Sequence, residues 1–198
     1  MTHLLIFGLG YSSRAVVRAA AGRTARITAT VRSPEKAAAL SAAPVEGRSV
    51  AVLPFDGKAL SPELAAAIAD ATHILVSAPP DQAGDPVLKA CGDALSAHPP
   101  LSVVYLSTVG IYGDHGGGWV DETTEPKPVS PRSIERLEAE RAWQAFGRAQ
   151  GVPVAILRLS GIYGPGQNAL VNMARGTARR IIKPGQVFNR MHVDDIAK

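Results

Sequence analysis

Short apolar runs recur along the chain, and between them alanine, leucine and charged residues fall at the spacing of a helix with one buried face. The first run, HLLIF from His3, meets Gly8-Leu9-Gly10 and passes into AVVRAAAG, a helix with a glycine stop. ARITATV from Ala25 to Val31 predicts a second strand, RSVAVLPFD a third, THILVSAPP a fourth, LSVVYLS from Leu101 to Ser107 a fifth and VPVAILRLS a sixth. Helices are expected between them. Ser33-Pro34 and Ser61-Pro62 each join a capping hydroxyl to a proline suited to the first helical position; Pro86 to Ala97 forms another helix, and Ser130-Pro131 opens the longest, to about Gln150. Strands that are nearly all apolar and alternate with helices describe an α/β protein with a doubly wound parallel sheet, a three-layer α/β/α Rossmann arrangement. The stretch from Gly110 to Val129, glycine-rich from Gly113 to Gly118, is longer than a routine connection, which predicts a functional loop.

The opening turn carries the first chemical signal. A strand, two glycines one residue apart and a helix start form the grammar of a dinucleotide-binding turn, and Ser13 stands where the third glycine of the full pattern falls. Gly8 allows the tight turn, Gly10 lets the backbone approach a pyrophosphate, and the N–H groups of Tyr11, Ser12 and Ser13 are expected to face the phosphates. Position 32 then bears on the choice of cofactor. The acid that accepts from the ribose 2′-hydroxyl of NAD is missing after Thr30-Val31, and Arg32 follows instead, suited to a 2′-phosphate. NADP is therefore the expected cofactor, with NAD as the alternative; the plainer reading of Arg32 is a surface arginine beside a helix cap. Asp56 is a candidate acceptor for the adenine amino group, or a simple turn aspartate.

Composition narrows the classes. With 46% hydrophobic and 19% charged residues the chain fits an ordinary soluble domain, and 1–198 is expected to be one NAD(P)-binding Rossmann domain, with 161–198 the start of a substrate-binding part. No apolar run is long enough for a membrane span, and a cytoplasmic location is expected. The lone Cys91 excludes an internal disulfide and reads as a small buried hydrophobe, and no metal ligand set is expected. A net charge of +4 suggests nucleic acid only weakly, because the arginines are spread from Arg14 to Arg190 without a dense run. A small-molecule substrate is expected, with neither nucleic acid nor membrane as partner.

Four segments together carry a more specific signal: GLGYSSR, LSTVGIYGD at 106–114, LRLSGIYGPGQ at 157–167 and RMHVDDIA at 190–197. In this order they resemble the extended short-chain dehydrogenase/reductase family, the NAD-dependent epimerase/dehydratase group with its atypical members. The resemblance implies an oxidoreductase acting on a nucleotide sugar or similar polar substrate, bound between the Gly113–Gly118 loop and the segment from Asn168 onward. It matches Thr108 to the hydroxyl that bonds a substrate oxygen; the plainer reading of Thr108 is a cap on the loop. It also places Ser77, Ala78 and Pro79 on the nicotinamide-ribose side and the Leu159-Ser160 backbone at the nicotinamide end. Arg158 reads as structural, bonding loop carbonyls. A homodimer through the helix from Arg132 to Gln150 and its neighbour is a further implication.

Two departures qualify this. The family's Tyr-x-x-x-Lys pair, in which lysine depresses the tyrosine pKa for proton exchange, should fall near positions 132 and 136, and both are arginines. Arg132, Arg136, Ala139/Glu140 and Trp143 share one helical face, expected to look toward the cofactor. An arginine binds ribose hydroxyls or phosphate but does not serve as a base at neutral pH, leaving Tyr112, Tyr163 and His115 as proton-shuttling candidates. The second departure is the end of the chain: His192-Val193-Asp194-Asp195 reads as a helix entry with an aspartate cap, yet only Lys198 follows Ala197, so the C-terminal substrate subdomain is expected to be absent or truncated. The missing tyrosine leaves a second function open, a redox-silent NADP-binding module that reports cofactor state to a protein partner.

Overall fold

The computed structural model describes residues 1–180, 182, 184–185 and 187–198. Along the chain run β1 (His3–Phe7), α1 (Tyr11–Ala19), β2 (Arg26–Val31), α2 (Pro34–Ser41), β3 (Ala51–Pro54), α3 (Pro62–Asp70), β4 (His73–Val76) and α4 (Pro86–Ala97). There follow β5 (Ser102–Thr108), a single 3-10 turn (Val109–Tyr112), α5 (Pro131–Gln150), β6 (Val154–Leu159), β7 (Gly161–Tyr163), α6 (Ala169–Ala174), β8 (Arg190–His192) and α7 (Val193–Ile196). The Ser-Pro entries act as the sequence suggests. Ser33, Ser61 and Ser130 each accept a backbone N–H three residues on, at 3.2 Å, and proline occupies the first turn behind each. Asp85 does the same for α4, accepting from Val87 and Leu88.

The six long strands form one parallel sheet in the order β3-β2-β1-β4-β5-β6. The order reverses between β1 and β4, and there the helices change sides. On one face Leu5, Phe7, Ile74, Val76, Val103 and Tyr105 pack against α3, α4 and α5, with Trp143 fully buried at the centre. On the other, Ile6, Ile27, Ala29, Leu75 and Leu106 meet Val17 of α1, Ala37 of α2 and Ile196 of α7. Burial on both faces is what makes the strands read as continuous apolar runs.

Four features differ from the expectations. The loop after β5 begins with the 3-10 turn, because Ile111 and Tyr112 bury themselves beside Leu137. β7 and β8 make a separate two-stranded parallel ladder, Gly161 to Arg190 and Tyr163 to His192. The cap of α7 is His192, whose Nδ1 accepts from the Asp194 N–H at 3.2 Å, where an aspartate cap was expected. Arg158 bonds a buried carboxylate and a phenol, not loop carbonyls.

Candidate functional site

The turn after β1 stands at the point where strand order reverses, the place at which open α/β sheets receive ligands. Gly8 has φ of +95°, and a Cβ there would lie 3.0 Å from the Ala78 nitrogen, so glycine is needed for both conformation and space. The turn is pinned to β2: Gly8 N–H donates to Thr30 Oγ1 at 3.1 Å and Leu9 N–H to the Thr30 carbonyl at 2.8 Å. Ser13, fully buried, donates its hydroxyl to the Gly8 carbonyl at 2.7 Å, the close packing that a third glycine would otherwise allow. Gly10 caps α1 without any side-chain hydrogen bond, and a Cβ on it would meet nothing within 4 Å. The positive end of the helix dipole, the first-turn residues Tyr11, Ser12 and Ser13, and this clear approach fit a pyrophosphate. The Tyr11 hydroxyl reaches across to the Pro165 carbonyl at 3.0 Å, tying the turn to the loop after β7.

The remaining cofactor-side candidates gather along the same edge with different fates. Arg32, one residue past β2, is exposed and makes no hydrogen bond or ion pair among the described residues. Asp56 accepts from the Lys58 N–H at 3.0 Å and lies 3.7 Å from its ammonium, so its carboxylate serves its own turn. Ser77 and Ala78 donate their N–H groups to the Phe7 carbonyl at 2.8 and 2.9 Å, which holds the end of β4 against the turn, and Pro79 is exposed beyond them. Leu159 is buried in the core; Ser160 lines a cleft.

At the end of β5, Thr108 Oγ1 accepts from the Gly110 N–H at 3.1 Å and caps the 3-10 turn, which leaves its hydroxyl hydrogen without an acceptor among the described residues. Beneath it lies a charged network. Glu140 of α5 is only 1% exposed; Ser107 Oγ donates to its Oε1, and Arg158 of β6 donates to its Oε2 from Nε at 3.2 Å and Nη2 at 2.9 Å. The remaining Arg158 nitrogen, Nη1, donates to the Tyr112 hydroxyl at 2.8 Å, and the guanidinium sits 4.9 Å from that ring's centroid. Burial works against the Arg158 charge, but its bonds to Glu140 and Tyr112 outweigh this and raise its pKa. Glu140 has no motif that announces it; its place one turn beyond Arg136 on the buried face of α5 is the signal available in the sequence.

The two arginines of α5 do not behave alike. Arg136 is half-buried and donates from Nη1 to the Leu106 carbonyl at 3.0 Å and to the Tyr105 hydroxyl at 3.3 Å. Burial pushes that phenol up to about 12, so it stays a neutral acceptor even though Arg136 pulls it the other way. Arg132 is exposed and makes no such bond among the described residues. Both line a cleft of about 500 Å³ with Pro79, Asp81, Gln82 and Glu135. A larger cleft of about 780 Å³ opens between the glycine loop and the segment before β8, lined by Tyr112, His115, Trp119, Arg158, Asn189 and Arg190 among others. His115 faces the Tyr112 carbonyl through Nε2 at 3.1 Å, while Tyr163 stacks edge-on with His192 at 5.1 Å. Cys91 is buried, and burial pushes its thiol up to about 12. Among the described residues no helix is long and apolar enough to cross a membrane.

A family model described as "NAD dependent epimerase/dehydratase family" matches residues 4–198. The chain belongs to that family. Among curated members, an uncharacterized UDP-glucose epimerase, YtcB of Bacillus subtilis, is 34% identical over 86 residues, covering 43% of this chain and 26% of its own. Protein YeeZ of Escherichia coli is 30% identical over 139 residues, 66% of this chain and 47% of its own. A functionally unknown conserved protein from Silicibacter pomeroyi superposes with a TM-score of 0.84 at 43% identity, over 100% of this chain and 66% of that one. The fold is shared with UDP-N-acetylglucosamine 4-epimerase from Methanobrevibacter ruminantium, solved with UDP-N-acetylmuramic acid, at a TM-score of 0.76 and 17% identity over 99% of this chain and 70% of that one. This chain of the epimerase/dehydratase family thus spans half or less of the two curated relatives and about two thirds of the solved structures.

Proposed function

We propose that the chain is the dinucleotide-binding part of an NADP-preferring oxidoreductase of the epimerase/dehydratase type, acting on a nucleotide sugar or a similarly polar substrate. The observation that carries this is the uncapped start of α1: Gly10 is clear of any neighbour, at the switch point of the sheet. When bound, the nicotinamide supplies hydride acceptance and donation. The N-terminus of α1 would hold the pyrophosphate, Arg32 the 2′-phosphate, and the Ser77–Pro79 and Leu159–Ser160 segments the nicotinamide half. Thr108, with its hydroxyl hydrogen still available, would orient the substrate oxygen; Arg132 would donate to ribose or substrate hydroxyls while staying protonated. Tyr112 lines the larger cleft with its oxygen already receiving one Arg158 bond, which leaves its own hydrogen to donate. Asn189, Arg190 and Met191 help to wall that cleft, which supports reading 161–198 as the start of a substrate-binding part. The reading places the protein in the cytoplasm, with a homodimer through α5 as the assembly to test by light scattering.

The test is cofactor titration followed by a substrate search. Protein loaded with NADP⁺ or NAD⁺ is mixed with UDP-glucose, UDP-N-acetylglucosamine and dTDP-glucose, and the reduced-nicotinamide absorbance is followed. Tighter binding of NADPH than NADH with a substrate-dependent absorbance change supports the reading; absence of dinucleotide binding overturns it. The arginines at 132 and 136 favour a second reading, a redox-silent NADP-binding module, whose signature is tight cofactor binding without any absorbance change across the panel.

A further inference from the structure

Partly buried guanidiniums lose hydration and rotamer freedom and are ordinarily held by acceptors. Arg136 and Arg158 follow this, and even the more exposed Arg18 and Arg26 are paired with carboxylates. Arg14 does not. It is half-buried on α1, and its guanidinium makes no hydrogen bond, ion pair or ring contact among the described residues. Its direction follows from Arg18, four residues on and on the same stripe of the helix. Arg18 reaches Glu46, in the connection between α2 and β3, at 2.7 Å and Asp194 of α7 at 2.6 Å. Arg14 therefore lies one turn nearer the start of α1, on the side turned toward α2 and α7.

That start is bonded to β2 through Leu9 and Thr30 at 2.8 Å, and Arg32 comes two residues after Thr30, likewise without a partner among the described residues. The acids in the neighbourhood are engaged elsewhere. Glu46 and Asp194 are held by Arg18, and Glu35, in the first turn of α2, is drawn to its own backbone N–H and the Ser33 hydroxyl, which lower its pKa. The exposed Lys36 adds a third positive charge from the same turn of α2. Positive groups thus flank the edge between the dinucleotide turn and the end of β2, and among the described residues no carboxylate is ion-paired with Arg14, Arg32 or Lys36.

We infer that Arg14 and Arg32 form a two-armed clamp for a phosphate monoester on the ribose beside the turn, the 2′-phosphate of NADP(H). This rests on the proposed dinucleotide reading and adds Arg14 as a determinant of cofactor choice. A planar fork on each side of a dianionic phosphate supplies several charge-assisted bonds, and such bonds exist only when the 2′-phosphate is present.

The experiment is fluorescence titration at fixed moderate salt of the parent, Arg14→Gln, Arg14→Lys, Arg32→Gln and the double Gln variant with NADPH, NADH, adenosine 2′,5′-bisphosphate and 5′-AMP. Arg14→Gln is expected to weaken NADPH and the bisphosphate about tenfold, equal to ~1.4 kcal/mol, with NADH and 5′-AMP within about twofold of the parent. Arg14→Lys should recover part of the loss, and it carries the same comparison if the glutamine variant does not fold. The double variant should bind NADPH no better than NADH. Unchanged NADPH affinity in Arg14→Gln beside a loss in Arg32→Gln overturns the clamp and leaves the NADP reading standing. Equal weakening of all four ligands also overturns it, by placing Arg14 at a part common to them. A parent that does not prefer NADPH overturns both.

Discussion

Removing the Glu140 carboxylate should be among the most damaging single changes available in this fold. Glu140→Ala leaves the Arg158 guanidinium, whose side chain is 18% exposed, with the Tyr112 hydroxyl as its remaining polar partner, and it strips Ser107 of its acceptor. Breaking a buried pair from one side costs about 3–5 kcal/mol, against a total stability on the order of 5–15 kcal/mol for a domain. For a domain of this size each kcal/mol shifts Tm by roughly 2–4 °C, so the variant should melt about 6–20 °C lower. Urea unfolding of the parent, Glu140→Ala, Arg158→Met and the double variant separates the pair energy from the cost of the orphaned charge: the double variant should be less destabilised than the sum of the singles. A loss below about 1 kcal/mol in Glu140→Ala, or strict additivity, would refute the claim that this pair holds α5, β5 and β6 together.

Three further outcomes are expected. Thr108→Val removes the cap on the Gly110 N–H and should cost ~1 kcal/mol in urea unfolding, while lowering turnover on the order of 10²-fold with cofactor affinity nearly unchanged; a turnover loss no larger than folding explains would reduce Thr108 to a cap. Arg132→Tyr, at an exposed position, should leave the melting temperature almost unmoved, whereas Arg136→Lys, shorter in reach and without the planar fork, should weaken the bonds to the Leu106 carbonyl and the Tyr105 hydroxyl and cost about 0.5–1.5 kcal/mol. His3, in β1, is buried alongside β2, and burial first, then the Arg26 charge, lowers its pKa from 6.5. Its folded pKa lies below the unfolded one, so its contribution is complete above 6.5 and is lost as pH falls from there through the folded value. Thermal melts across this window should slope downward on acidification, and His3→Asn should flatten the slope.

The sheet was legible because each strand is apolar on both faces and each helix announces its start: Pro86–Ala97 and the Ser130-Pro131 entry fall where hydrophobic spacing and capping chemistry put them. The 3-10 turn at Val109–Tyr112 was not, since four residues hold too little periodicity and its stability comes from Thr108 and from burial against Leu137. The ladder between β7 and β8 joins three-residue segments far apart in the chain, and such pairing leaves no local trace. The dinucleotide turn reads from Gly8 and Gly10 because backbone geometry requires glycine at the first and the second leaves the start of α1 open to a ligand. The Glu140–Arg158 pair does not read, because the chain offers many acids to an arginine and burial decides among them.

The pairing of Arg18 with Asp194 ties α1 to α7, and Ile196 completes the same apolar layer as Val17. Those partners are separated by nearly the whole length of the chain. At about 5–20 residues per second of synthesis, α1 leaves the ribosome roughly ten to thirty-five seconds before α7 can reach it. Throughout that interval the flank of α1 later covered by α7 is open to water and to chaperones. The helix that would grip the cofactor is therefore made well before the helix that covers its flank.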